Sequence, residues 1–287
     1  MPLCLGGIFL LCGFWSRIHF ECFLHPFLRH STKFRKFAKI ISVEKDQLIY
    51  GIRPLMEAIT AGKDVDKILI QNGLKSELFH EFRNLLAQRN IAYQFVPIEK
   101  LNRVTTKNHQ GVIGFVSNIT YTDVENIIPF VFEKGKSPLI LILDRITDVR
   151  NFGAIARSAE CAGADAIVIP YYNSVRVSAD AIKTSAGALH KIPVCRSISM
   201  IKTVEYLKSC GLQIVACTEK AQQAHYNCDM SIPTAIIMGS EEDGISDILL
   251  KAADQTLKIP MTGEIQSLNV SVATGIILFE ALKQRSV

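Results

Sequence analysis

The chain has no C-x-x-C pair and no H-E-x-x-H. Its eight cysteines, at 4, 12, 22, 161, 195, 210, 217 and 228, therefore do not form a zinc-ligand pattern or a disulfide framework. Several lie in apolar runs, as buried reduced thiols do, which fits a reducing, cytoplasmic setting. Charged residues are scarce at 21%, and 48% are apolar, which excludes a disordered or highly charged chain. Seventeen Gly and ten Pro are too few for low complexity. No G-x-G-x-x-G follows a strand pattern, and Gly135-Lys136-Ser137 is not a phosphate-binding loop, because Phe130 stands where the first glycine is required. The apolar run from Leu3 to Trp15 is too short to span a bilayer and has no basic residue ahead of it, so neither a membrane span nor a secretory signal is expected.

A bulk positive field is also missing. The net charge is +5, but residues 1–40 hold six basic groups (Arg17, Arg29, Lys33, Arg35, Lys36, Lys39) against Glu21 alone. The remainder has 26 basic and 26 acidic residues, so any polyanion surface there must be a local patch. Residues 1–46 are read as an N-terminal extension outside the fold, an upstream addition or an early start codon, with a transit peptide as the second reading.

What is present is two α/β patterns in series. Residues 47–118 read as a small unit. It has a helix at Pro54–Ala61, a short strand at Lys67–Ile70 and a helix at Glu77–Arg89 with Leu78, Phe82, Leu85 and Leu86 on one side. A strand follows at Ile91–Val96, then a short helix opened by Pro97 and a last strand at Val112–Val116. Residues 119–137, punctuated by Pro129 and Gly135, read as a linker. From 138 to 287, strands at Leu139–Leu143, Ala166–Ile169, Leu212–Ala216, Ala235–Met238 and Leu257–Ile259 alternate with helices at Phe152–Ala162 and Ile201–Ser209. A long helix at Leu268–Gln284 turns Val272, Ile276, Phe279 and Leu282 inward. Such alternation predicts a mostly parallel sheet covered on both faces.

Ligands of open parallel sheets bind beyond the carboxyl ends of the strands, and three such ends are rich in polar and glycine residues. The first runs from Asp144 to Arg157, with Asn151 placed as a helix N-cap and Arg157 six residues on. The second is Met238-Gly239-Ser240-Glu241-Glu242-Asp243-Gly244. The third runs from Ile259-Pro260-Met261 to Ser267-Leu268-Asn269-Val270-Ser271. Taken singly, each also reads as ordinary structure: a capped helix with a paired arginine, a tight acidic turn, a plain N-cap. The acidic second loop suggests a metal, but no matching ligands recur, so none is expected.

In this order and spacing, Asn151-x-Gly153-x-x-x-Arg157, Met238-Gly239-x-Glu241-x-x-Gly244, Ile259-Pro260-Met261 and Ser267-Leu-Asn-Val-Ser-Val-Ala273 resemble the SpoU branch of the SPOUT RNA methyltransferases, the TrmH family. The likeness spans nearly all of 138–287. Residues 48–118, with Tyr50-Gly51 and Asn108-His109-Gln110-Gly111, resemble the substrate-binding domain fused ahead of it in the large-subunit rRNA members. Arg150, Phe152 and Glu242 depart from the common His, Leu and Gly.

The resemblance implies an α/β fold: a parallel-sheet SPOUT domain with a trefoil knot over roughly 212–287, preceded by a small α/β (L30e-like) substrate-binding domain. It implies S-adenosylmethionine as cofactor, lined by Thr218, Gly239, Ile259, Met261 and Leu268, and a homodimer in which the last helix makes contact. The implied reaction is methylation of a ribose 2′-hydroxyl in RNA, a guanosine of large-subunit (23S) rRNA, with Arg157, Asn151, Glu241, Ser267 and Asn269 catalytic. Arg157 is expected to anchor a phosphate and organise the proton path, held by the other four. Arg53, Lys100, Arg103, Lys107 and His109 are candidate RNA contacts. The alternatives are a tRNA target or a non-catalytic assembly factor.

Overall fold

The computed structural model describes residues 48–89, 91–172, 174–264 and 267–286; the expected N-terminal extension lies outside them. The first unit comprises β1 (Leu48–Tyr50), α1 (Ile52–Thr60), β2 (Val65–Gln71), α2 (Glu77–Gln88), β3 (Tyr93–Val96), α3 (Ile98–Val104) and β4 (Val112–Val116). Its sheet order is β1-β4-β2-β3, with β3 parallel to β2 and β4 antiparallel to both its neighbours. Alternation along β2 decides the layers. Ile68 and Ile70 pack with α1 and α2, while Leu69 joins Phe115 and Leu101 under α3. Ser76 caps α2 by accepting from the Phe79 amide. Phe79, Phe82 and Leu86 are its buried residues, whereas the expected Leu78 and Leu85 are only partly covered.

The expected linker is folded. β5 (Tyr121–Thr122) pairs with a strand of the second sheet, and α4 (Val124–Glu133) packs Val124 and Ile128 against that sheet. Pro129 lies inside α4 rather than marking a break. Burying Val124, Ile128 and Val131, each worth about 1.5–3 kcal/mol, offsets the one helical hydrogen bond the proline removes.

The second unit continues with β6 (Leu139–Asp144), α5 (Val149–Cys161), β7 (Ala166–Pro170), α6 (Ala179–Thr184), β8 (Val194–Ser197) and α7 (Met200–Ser209). Then come β9 (Gln213–Cys217), β10 (Gln223–Ala224), β11 (Thr234–Gly239), α8 (Asp247–Ala252), β12 (Gln255–Lys258) and α9 (Val270–Arg285). The sheet order is β10-β12-β9-β11-β6-β7-β8-β5, and every pairing is parallel. β6 is buried on both sides. Leu139, Leu141 and Leu143 face α5, α6 and α9, and Ile140 and Ile142 face α4, α7 and α8. The unbroken apolar run of β6 is the sequence form of that double burial.

Two helix starts differ from expectation. Asp148, not Asn151, caps α5, accepting from the Arg150 and Asn151 amides, which places Asn151 in the first turn. Asn269, not Ser267, caps α9 by accepting from the Ser271 amide. The inward face of α9 also differs. Val270, Thr274, Ile277, Leu278 and Ala281 are buried, while Val272, Ile276 and Phe279 are 51%, 36% and 49% exposed and Leu282 is half-buried. α9 is apolar on two sides, so periodicity alone could not select the face that meets α5.

A buried polar junction joins the two units. Arg196 of β8 pairs with Asp66 of β2 at 2.6 Å, with their side chains 12% and 4% exposed. The Tyr121 hydroxyl donates to Asp66 and accepts from Arg196, whose guanidinium lies 3.7 Å from the Tyr121 ring centroid. Burial first, then the Asp66 charge, push the Tyr121 phenol well above its ordinary pKa, so it stays a donor. The Ala92 amide donates to the Tyr171 hydroxyl and the Asn118 side chain to the Val177 carbonyl.

Candidate functional site

The carboxyl ends of β6, β11 and β9 lie side by side, since Asp144 pairs with Gly239 and Met238 with Cys217. The loop after β11 is held from β6. Buried Asp144 accepts from the Ser246 amide at 2.7 Å, and Arg145 donates to the Gly244 carbonyl at 3.1 Å and to Asp243 at 3.3 Å. Arg145 takes a left-handed φ of 59° to do so. Gly239 is obligatory: a Cβ there would lie 2.2 Å from the Gly244 carbonyl carbon and 2.3 Å from the Ile245 nitrogen.

This turn delivers Glu241 to the amino end of α9. One oxygen of Glu241 accepts three hydrogen bonds, from the Asn269 side chain at 2.6 Å, the Asn151 side chain at 3.1 Å and the Val270 amide at 3.2 Å. The Asn269 amide also donates to the Asn151 side-chain oxygen at 3.1 Å. A carboxylate at a helix N-terminus is favoured by the unpaired amides and the helix dipole. Residues from three distant segments thus form one hydrogen-bonded group on a cleft of about 620 Å³ lined by Arg145, Thr147, Asp148, Asn151, Glu241 and Val270.

Not every expected residue joins that group. Arg157 is exposed on α5 and makes no side-chain hydrogen bond or ion pair among the described residues, so it is not brought into contact with Asn151, Glu241 and Asn269 here. Six residues advance a helix by about 600°, which puts Arg157 off the Asn151 face. Ser158, seven residues on, is the one that faces α9; a Cβ on Gly275 would sit 3.7 Å from its oxygen. Ser267 is exposed, next to residues outside the described set.

The expected cofactor residues cluster by register. The Thr218 amide donates to the Leu257 carbonyl, so Thr218, Gly239 and Ile259 stand at the ends of the adjacent strands β9, β11 and β12. Met261 and Leu268 are 37% and 39% exposed, a large apolar surface to leave open at a strand end. Leu268 precedes Asn269, which touches Glu241, so Leu268 borders the polar group. Burial pushes the thiol of Cys217, beside Thr218, up to about 12, which disfavours its thiolate. Among the described residues no His, Cys, Asp and Glu group could hold a metal ion.

Of the candidate RNA contacts, Arg53, Lys100, Arg103 and Lys107 are exposed. His109 is not available. It is 7% exposed, its ring nitrogens bond Asn102 and the Gly111 amide, and it braces the turn where Gln110 and Gly111 take positive φ. Arg145, Asp144 and Asp148 had no role in the sequence reading. Their only signal was an Asp-Arg pair and an Asp at a strand end.

The chain matches two family models, "SpoU rRNA Methylase family" over residues 138–279 and "RNA 2'-O ribose methyltransferase substrate binding" over 48–122. It is 33% identical over 241 residues to a Staphylococcus aureus protein assigned to the TrmH family tRNA/rRNA methyltransferases, covering 84% of this chain and 97% of that one. A Bacillus subtilis protein of the same assignment is 31% identical, covering 85% and 98%. Among solved structures, an RNA 2'-O ribose methyltransferase aligns with a TM-score of 0.51 at 25% identity over 89% of this chain and 97% of that one. The AdoMet complex of the SpoU methyltransferase AviRb from Streptomyces viridochromogenes aligns with a TM-score of 0.55 at 23% identity, over 89% and 99%. That similarity speaks to the fold.

Proposed function

We propose, from the premise that the chain belongs to the SpoU/TrmH family of RNA methyltransferases, that it transfers a methyl group from S-adenosylmethionine to a ribose 2′-hydroxyl of RNA. The observation that carries this reading is the convergence of Asn151, Glu241 and Asn269 beside the open, apolar-rimmed ends of β9, β11 and β12. The unit over 48–122 matches a substrate-binding model, and its resemblance to the domain fused ahead of the large-subunit rRNA members is the reason we propose a guanosine of 23S rRNA over a tRNA target.

The residues present fit the cofactor. Gly239 brings backbone to the cleft edge where no side chain has room, Thr218 and Ile259 are half-buried beside it, and Met261 and Leu268 offer apolar cover for a flat ring. Bound there, S-adenosylmethionine supplies an electrophilic sulfonium methyl. The protein must then present the ribose oxygen in line and ease removal of its proton. Asn151, Glu241 and Asn269 form a rigid polar edge able to orient the ribose, with Ser267 at its rim. Arg157, exposed and without a side-chain hydrogen bond or ion pair among the described residues, anchors an RNA phosphate through its guanidinium fork and organises the proton path. A trefoil knot fits the strand order, in which the chain runs out to β12 beyond β9 and returns to lay α9 on α5.

The open face of α9, with Val272, Ile276 and Phe279, is the expected homodimer contact. The expected compartment is the cytoplasm; no helix among the described residues is long and apolar enough to cross a membrane. The test is Arg157→Ala: it should bind S-adenosylmethionine as the parent does and transfer no methyl group. Normal turnover would remove Arg157 from the mechanism.

A further inference from the structure

A second cleft, of about 440 Å³, lies at the junction of the two units and shares no lining residue with the strand-end site. Its walls come from Lys67 of β2, from Tyr93 at the start of edge strand β3 and from the segment after β7. Two aromatic side chains stand open there, Tyr172 at 56% and Tyr93 at 36% exposure. Tyr93 packs edge-on against Phe95 at 5.5 Å and Tyr172 against Tyr171 at 5.1 Å, contacts that hold the rings while leaving much of their surface open to the cleft.

The charge is as uneven as the apolar surface. Arg196 in this wall is neutralised by Asp66, but Lys67 and Arg176 have no ion pair among the described residues. The Arg176 guanidinium rests over the Phe115 ring at 4.5 Å, which holds it at the cleft without cancelling its charge. Burial, then repulsion from Lys100 and Arg176, pulls the Lys67 ammonium below its ordinary pKa. The Ser174 hydroxyl is buried in the same wall without a hydrogen-bond partner among the described residues.

Unpaired cations, an unused hydroxyl and open aromatic faces in one cleft suit an anion joined to a planar ring. We infer that this interdomain cleft receives one unstacked nucleotide of single-stranded RNA, its base against Tyr172 and Tyr93 and its phosphate at Lys67 and Arg176. The inference rests on the RNA-methyltransferase reading and adds to it where the RNA is gripped away from the reacting ribose. Specific RNA recognition commonly stacks splayed bases on aromatic side chains, and a sequence-tolerant grip pairs such a platform with a basic groove. The wall is built from both units, so a nucleotide seated there touches the substrate-binding and methyltransferase halves together.

The test uses the full chain, a fluorescein-labelled single-stranded RNA and fluorescence anisotropy across a salt series. Tyr172→Ala should weaken binding about 5- to 140-fold, the range of one lost base stack. Lys67→Ala with Arg176→Ala should lower the slope of log K against log salt by about 0.7, the value for losing one phosphate contact on a single strand. Both variants should keep the parent's affinity for S-adenosylmethionine and its circular dichroism, and in turnover should raise KM for RNA with kcat little changed. Ultraviolet cross-linking of parent protein to RNA should mark a peptide containing Tyr93 or Tyr172. Unchanged affinity and unchanged salt slope, in variants of a parent that does methylate RNA, would overturn the inference and leave the cleft to an acidic protein partner. A parent that neither binds nor methylates RNA would overturn the reading beneath it, and the inference with it.

Discussion

Asp66→Ala breaks the junction between the two units. The Asp66 side chain is 4% exposed and accepts from both Arg196, at 2.6 Å, and the Tyr121 hydroxyl, at 2.9 Å. Removing it leaves the Arg196 guanidinium, 12% exposed, without its counter-ion and the Tyr121 hydroxyl without its acceptor. Breaking a buried pair from one side costs about 3–5 kcal/mol, because a desolvated charge is stranded. With a urea dependence of about 3 kcal/mol per molar, at the upper end of the small-protein range, the unfolding midpoint should fall by about 1–1.7 M. Circular dichroism at 222 nm during urea unfolding reads this. Replacing both partners, Asp66→Leu with Arg196→Met, should recover most of the loss, since no charge is then stranded. The lost Tyr121 hydrogen bond should keep the recovery incomplete. An Asp66→Ala midpoint within about 0.3 M of the parent would refute the reasoning, as would a double variant less stable than the single one.

Gly239→Ala should abolish S-adenosylmethionine binding by calorimetry, because the new methyl would meet the Gly244 backbone at 2.2 Å and displace the loop that carries Glu241; retained affinity would remove that loop from the site. Phe279→Glu should convert a dimer to a monomer in light scattering with little change in circular dichroism, since Phe279 is 49% exposed in the single chain. Thiol labelling at pH 8, mapped by peptide mass, should modify exposed Cys161 well ahead of Cys195 and Cys217. Burial pushes both of those thiols up to about 12, so only about one in 10⁴ is ionised at that pH.

Much of the second unit was readable because its signals are strong and local. β6 is an uninterrupted apolar run, and Gly163 and Gly211, both at positive φ, mark the ends of α5 and α7. The site residues Asn151, Glu241 and Asn269 were legible only through the resemblance, since each loop alone also reads as an ordinary cap or turn. Their convergence depends on parallel pairing of β6, β9 and β11, which leaves no trace at the residues themselves. Helix caps were misplaced by two or three residues because Asp148 and Asn151, like Ser267 and Asn269, are equally suited to the position, and only the chain's approach to the helix decides. α4 was missed because Pro129 suggested a break, and the burial that offsets it comes from β7 and its neighbours. The Asp66–Arg196 pair spans 130 residues and carries no periodicity at all.

The central claim is tested most directly by incubating the protein with methyl-labelled S-adenosylmethionine and, in parallel, large-subunit rRNA and bulk tRNA, then digesting the RNA and locating the label. The account predicts label on a ribose 2′-oxygen, on a guanosine of the large-subunit RNA. Measured cofactor binding with no label on either RNA, or label on a base instead of a ribose, would contradict it.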